Sequence, residues 1–169
     1  MMPCGYPPHK DIKNVWNSKK RYEMTKLLVE GEPNISVSDL ELKSEGKSYT
    51  ARTLQRIKAE NPDNEYFFIV GADSLCYMDE WMEPQIIFEN AKIAAIDREG
   101  YSDKKVDDYI AFLGEKYNAE IFRIKMPLER ISSSMLREML DEGENISKYT
   151  GQKIYEYISE NFDGYRKDN

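Results

Sequence analysis

The stretch from Tyr66 to Trp81 limits what this chain can fold into more than any other. Tyr66-Phe67-Phe68-Ile69-Val70 is a continuous apolar run bounded by Asp63-Asn64-Glu65 and by Gly71. A run that short and that apolar reads as a strand buried on both faces, which is the mark of a parallel sheet. Glycine at the carboxyl end of such a strand lets another backbone or a ligand approach closely. Asp73 follows at the level where open α/β sheets bind ligands, in the crevice beyond the carboxyl ends of their strands. A carboxylate there suits a ribose or an amide, and Trp81 offers a flat face nearby. The same residues also fit a core strand, a turn, an Asp at a helix N-cap and a packed Trp.

Composition narrows the classes. A chain of 169 residues with 40% hydrophobic residues and 12% aromatics is expected to form one domain with its own core. A net charge of -7 argues against nucleic acid as a partner. Cys4 and Cys76 are too few for a disulfide framework or a zinc site, which fits a reducing cytoplasm. His9 is the only histidine, so a metal centre built from several histidines is excluded within this chain. No apolar run approaches a membrane span and no signal peptide is evident, so a cytoplasmic location without membrane partners is expected.

Read in order, the chain opens on a Pro- and Gly-rich loop, Met1 to Lys10. Asn17 or Ser18 can cap a helix from about Lys19 to Glu30, with Gly31 ending it. Ile35, Val37, Leu40 and Leu42 alternate with polar residues, predicting a strand over Asn34 to Leu42. A helix from Ala51 to about Glu60 follows, capped by Thr50 and stopped by Asn61-Pro62. After the strand at Tyr66 come a helical segment holding Trp81, Ile86, Ile87 and Phe88, and a strand from Ile93 to Ile96. Val106, Tyr109, Ile110 and Leu113 predict a helix from Ser102 to Tyr117, and Ile121 to Ile124 a last strand. A helix opened by the serines at 132–134 ends near Gly143, and Thr150 is read as the cap of a final helix. This alternation predicts a Rossmann-like α/β domain, an open parallel sheet with helices on both faces.

Ile131-Ser132-Ser133-Ser134-Met135-Leu136-Arg137 is the second informative segment. Hydroxyls and free backbone N–H groups at a helix start make an anion site. Arg137 sits where the helix dipole disfavours a cation, a cost that a bound phosphate would offset. A simple N-cap Ser, with Glu138 or Asp141 balancing Arg137, accounts for the same residues.

With these segments in view, the chain resembles the bacterial nicotinate-nucleotide adenylyltransferase family of the nucleotidyltransferase superfamily. The matching residues are Pro3-Cys4-Gly5-Tyr6-Pro7-Pro8-His9-Lys10, Ser36 to Leu42, and Ser48-Tyr49-Thr50 with Thr53-Leu54. Gly71-Ala72-Asp73 with Trp81 follows, and then Asp97-Arg98-Glu99-Gly100-Tyr101, where Glu99 stands for the family's proline. The last is Ile131 to Arg137, with Ser134 for the family's threonine. The family's preceding strand, its Gly-Gly-Thr-Phe-Asp-Pro-x-His-x-Gly-His segment and the helix after it are not in this sequence. The expectation is therefore a single nucleotidyltransferase-like domain over 1–169, N-terminally incomplete, lacking the first strand-helix unit. Those two histidines stabilise the triphosphate in the family, so no residue of this chain takes a catalytic role, and the chain alone is expected to be inactive.

What the resemblance implies is transfer of AMP from ATP to nicotinate mononucleotide, giving deamido-NAD and pyrophosphate, with Mg²⁺ accompanying ATP. Gly71, Asp73, Ser132, Ser133, Ser134 and Arg137 would bind ATP. Lys10, Tyr49, Thr50, Trp81 and Arg98 would bind the mononucleotide, with Trp81 stacked on the pyridine ring. Two alternatives stand beside this: a non-catalytic module that binds the nicotinate nucleotide, and a related nucleotidyltransferase with another acceptor. Oligomeric state is not legible.

Overall fold

The computed structural model describes residues 1–8, 15–97, 103–126 and 131–162. In chain order these form α1 (Ser18–Leu28), α2 (Thr50–Glu60), β1 (Phe67–Gly71), α3 (Ala72–Leu75) and α4 (Pro84–Asn90). After them come β2 (Lys92–Ile96), α5 (Asp103–Tyr117), β3 (Ile121–Ile124), α6 (Ser133–Asp141), α7 (Ser147–Thr150) and α8 (Gln152–Asn161). The fold is α/β, with a parallel sheet flanked by helices. The chain divides into two compact units, Ser48–Leu128 and the pair of segments Met1–Lys47 and Glu129–Asn169. No helix of the described residues is long and apolar enough to cross a membrane.

The unit Ser48–Leu128 holds the sheet, in the order β1-β2-β3, with both pairings parallel. The register sets Ile69 beside Ala94 and Phe122, and Val70 beside Ala95 and Arg123. Because side chains alternate across a strand, Phe68, Val70, Ile93, Ala95 and Ile121 share one face. That face builds the core: Ile93, Leu75, Met78, Ile87 and Leu113 are fully buried, and Val70, Ala95 and Val106 nearly so. Each large side chain buried there contributes about 1.5–3 kcal/mol relative to exposure. The helix α5 follows from Val106, Ile110 and Leu113 at helical spacing, and it ends at Asn118, whose φ of 54° is a common left-handed terminator.

Burial of β1 on both faces is not observed. Phe67 and Ile69 are 53% and 65% exposed, beside Phe122 and Ile124 on the same face. An apolar run is fully buried only where both faces gain a cover. The helices joining β1, β2 and β3 serve the face of Phe68 and Val70.

In the other unit, α1 begins as expected, with the Asn17 side chain accepting from the Lys19 N–H at 2.8 Å. It lies against α8: the Tyr157 hydroxyl donates to Glu23, the Lys20 ammonium to the Asn161 carbonyl, and Lys153 pairs with Glu30 at 2.7 Å. Trp16 and Phe162 close the same contact with ring centroids 4.0 Å apart. Arg21 donates to the carbonyls of Trp16 and Gly5 at 2.9 and 3.1 Å, tying the opening loop to α1.

Three further expectations are corrected here. Residues Asn34 to Leu42 form no strand. Among the described residues their ladder-like partner is Met1, whose carbonyl accepts from the Ser38 N–H at 2.8 Å and whose ammonium donates to Ser36. Alternation alone does not make a strand without a neighbour to pair with. Thr50 is the first residue of α2 rather than its cap; Tyr49 holds that position in extended conformation, with no side-chain capping bond. Thr150 likewise ends α7, and Gly151, at φ 82°, precedes α8.

Candidate active site

At the carboxyl end of β1 the chain turns directly into α3, with Gly71 as its N-cap and Asp73 as its second residue. Asp73 is therefore inside the first turn rather than at the cap itself. Its Oδ1 is buried and lies over Gly71 so closely that a Cβ on residue 71 would stand well inside 3.0 Å of it. Gly71 has φ -74° and ψ 152°, conformations open to any residue, so a side chain here would conflict only with the Asp73 carboxylate, which would have to move. The short helix and the missing Cβ together fix the carboxylate at the end of the strand.

Trp81 does not lie in a helix. It ends a 3₁₀ turn, Met78–Glu80, in extended conformation, with its N–H donating to the Met78 carbonyl at 3.2 Å. One edge of its ring meets Phe68 of β1, with centroids 6.2 Å apart and planes at 75°. Trp81 is half-buried and packs against the core cluster. Two residues on, Glu83 takes φ 51°, an unusual conformation for that residue, before Pro84 starts α4. The turn before Trp81 is held from outside by Asp79, which accepts from Lys116 at 2.7 Å and from the Tyr117 hydroxyl at 2.6 Å. These bonds hold the Asp79 carboxyl below the usual carboxylate range, Lys116 more than Tyr117. Nothing in the sequence singled out Asp79, because its partners lie far along the chain at the end of α5.

Tyr49 and Thr50 stand at the start of α2, both half-buried, and the Arg52 guanidinium lies 5.4 Å from the Tyr49 ring centre. With no cap from Tyr49, the first N–H groups of α2 face outward from the helix end. Lys10 and Arg98 lie outside the described residues.

In the second unit the serines do open a helix. Ser132 is the N-cap of α6, its Oγ accepting from the Met135 N–H at 3.1 Å. Ser133 and Ser134 are exposed at the first two helical positions. Arg137 follows half-buried, and among the described residues no ion pair from Glu138 or Asp141 engages it.

One open cleft lies elsewhere. An open cavity of about 700 Å³ lies at the amino ends of the strands, lined by Asn64, Glu65, Lys92, Asn118 and Glu120 among others. Within it Lys92 pairs with Glu65 at 2.7 Å and Glu120 at 3.0 Å. Ligands of open parallel sheets bind at the other end, where Asp73 stands.

The model of the cytidylyltransferase-like family matches residues 1–139. The chain belongs to the nicotinate-nucleotide adenylyltransferase family within that group. It is 36% identical, over 93% of its length and 78% of the relative's, to a probable nicotinate-nucleotide adenylyltransferase of Lachnoclostridium phytofermentans. A protein of the same description from Clostridium botulinum is 36% identical over 95% of this chain and 80% of its own length. Among solved structures, Plasmodium falciparum nicotinic acid mononucleotide adenylyltransferase complexed with NaAD shares the fold. Its TM-score is 0.71 at 18% identity, covering 94% of this chain and 78% of that one.

Proposed function

We propose that this chain binds nicotinate mononucleotide and ATP for adenylyl transfer. The mononucleotide phosphate oxygen attacks the α-phosphorus of ATP, one P–O bond forms, and the bond to the leaving pyrophosphate breaks. The products are deamido-NAD and pyrophosphate. No protein nucleophile is needed, so the work of the chain is to position the reactants and offset charge. The observation that carries this reading is 36% identity across 93% of the chain to a probable nicotinate-nucleotide adenylyltransferase.

Asp73, held over Gly71, is assigned to the ATP ribose, where a fixed carboxylate accepts from hydroxyls. Ser133, Ser134 and Arg137 are assigned to its phosphates, with Ser132 serving them by capping α6. Trp81 is assigned to the pyridine ring, and N–H groups at the start of α2, beside Tyr49 and Thr50, to the nicotinate carboxylate. Lys10 and Arg98 are assigned to the mononucleotide by their place in the sequence alone. Mg²⁺ would travel with the ATP phosphates. Among the described residues no cluster of three or more His, Cys, Asp or Glu side chains could hold a metal ion, and no step is assigned to one.

Calorimetric titration tests the reading. Nicotinate mononucleotide should bind saturably and quench tryptophan fluorescence, and ATP should bind independently. A chain that ignores nicotinate mononucleotide but binds another phosphorylated acceptor would overturn it.

A further inference from the structure

The segment that carries Trp81 has little rigidity of its own. The helix α3 before it is four residues long, and the 3₁₀ turn Met78–Glu80 is three. Elements that short are marginal by themselves, since few hydrogen bonds offset the ordering of the chain. Glu83 nonetheless holds φ 51° and ψ 56° directly before Pro84, in the left-handed region that a residue of its size rarely adopts. Such a conformation persists where the surroundings fix it.

The fixing groups stand far along the chain, at the end of α5. The Tyr117 hydroxyl donates to Asp79 Oδ1 at 2.6 Å, and the Lys116 ammonium donates to the same oxygen at 2.7 Å. The Tyr117 ring is stacked on Phe88 of α4, with centroids 5.1 Å apart and planes at 26°. Tyr117 therefore grips the chain on both sides of Trp81, the turn before it by the hydroxyl and the helix after it by the ring. Buried Val106 and Leu113 already hold α5, and buried Ile87 holds α4. What the bonds to Asp79 add is direction, because a hydrogen bond constrains angle and an apolar contact does not. Trp81 follows that turn directly and meets Phe68 by one edge of its ring, so the set of the turn decides where the indole faces.

We propose that Asp79 and Tyr117 are positioning residues for the mononucleotide: together they set the direction in which Trp81 presents its ring. The proposal rests on the functional reading above, in which Trp81 meets the pyridine. It deepens that reading by placing part of the preference for the pyridine nucleotide at the end of α5, in side chains that touch no substrate.

Trp16 and Trp81 are the two tryptophans of the chain, so a Trp16→Phe background leaves Trp81 as the single emitter. In that background the fluorescence anisotropy of Trp81 is recorded without ligand, and nicotinate mononucleotide and ATP are titrated separately. Tyr117→Phe removes one hydroxyl and keeps the ring on Phe88. Nicotinate mononucleotide affinity should fall about threefold, the scale of one hydrogen bond, with ATP affinity unchanged. Asp79→Ala removes both bonds, and the loss should reach about tenfold. Trp81 anisotropy should fall in both variants, because a ring released from its set direction moves more. Should Asp79→Ala fail to fold, Tyr117→Phe decides alone. Unchanged mononucleotide affinity, equal losses for both ligands, or a Trp81 signal identical to that of the background would make these residues structural anchors and overturn the proposal. A wild-type chain that binds no nicotinate mononucleotide overturns the functional reading and this proposal with it. Normal wild-type binding with unaffected variants overturns this proposal alone.

Discussion

The carboxylate of Asp73 occupies the space that a side chain on Gly71 would need. The backbone at residue 71 tolerates any amino acid, so the constraint passes entirely through that contact. Gly71→Ala should displace the carboxylate and lower ATP affinity about tenfold, the scale on which misplacement of a bound group by an ångström or less acts. Asp73→Asn, which keeps the shape and removes the charge, should show a similar loss with less change in melting temperature. Unaltered ATP titrations in both variants would return this turn to a purely architectural role.

Trp81→Ala separates stacking from packing. If the ring stacks on the pyridine, nicotinate mononucleotide binding weakens by about 1–3 kcal/mol and ATP binding does not change. Loss of the edge contact to Phe68 also lowers the melting temperature slightly. Equal losses for the two ligands would leave Trp81 with the core alone.

Arg137 carries a charge with no ion-pair partner among the described residues. Arg137→Ala should therefore leave the melting temperature nearly unchanged and weaken ATP by about 1.5–3 kcal/mol, the range for a hydrogen bond to a charged group. The loss should shrink in high salt. A large drop in thermal stability with intact ATP affinity would point to a structural arginine.

The Tyr157 phenol is pushed up to about 12, by burial first and then by its bond to the Glu23 carboxylate. Folding therefore favours the protonated phenol. The stability this contributes is complete below about pH 10, the ordinary value, and is lost as pH climbs through the folded value. Tyr157→Phe should cost about 1 kcal/mol at neutral pH and flatten that alkaline decline. Thermal melts between pH 8 and 12, as about the usable range, check it. An identical alkaline slope in the variant would remove Tyr157 as its source.

Asp79 gives the opposite sign. Its carboxyl is depressed by Lys116 and then Tyr117, so its stabilisation is present above the ordinary carboxylate value and is lost as pH falls through the lower folded one. Asp79→Asn should lower stability at neutral pH and flatten the acid limb of a stability profile recorded by urea melts. A variant with the wild-type acid limb would rule out this carboxylate.

Where structure follows from neighbours in sequence, it was legible. β2 and β3 are short apolar runs, α5 is an apolar stripe at helical spacing, and α6 is a Ser cap before an amphipathic turn. All four stand within a residue or two of where the sequence put them. The glycine followed by an aspartate at a strand end was legible too, because the turn that creates the site is itself local. What tertiary structure alone decided depends on partners distant along the chain. Residues Asn34 to Leu42 alternate like a strand and are not one, since pairing needs a neighbour that periodicity cannot supply. Phe67 and Ile69 read as buried and are exposed, since burial belongs to whatever covers a face rather than to the residue. Asp97, Asp103 and Asp107 look like ordinary solvated charges in the sequence. Only the register of β3 against β2 brings Arg123 among them, because hydrogen-bonded pairing fixes positions that no local preference encodes.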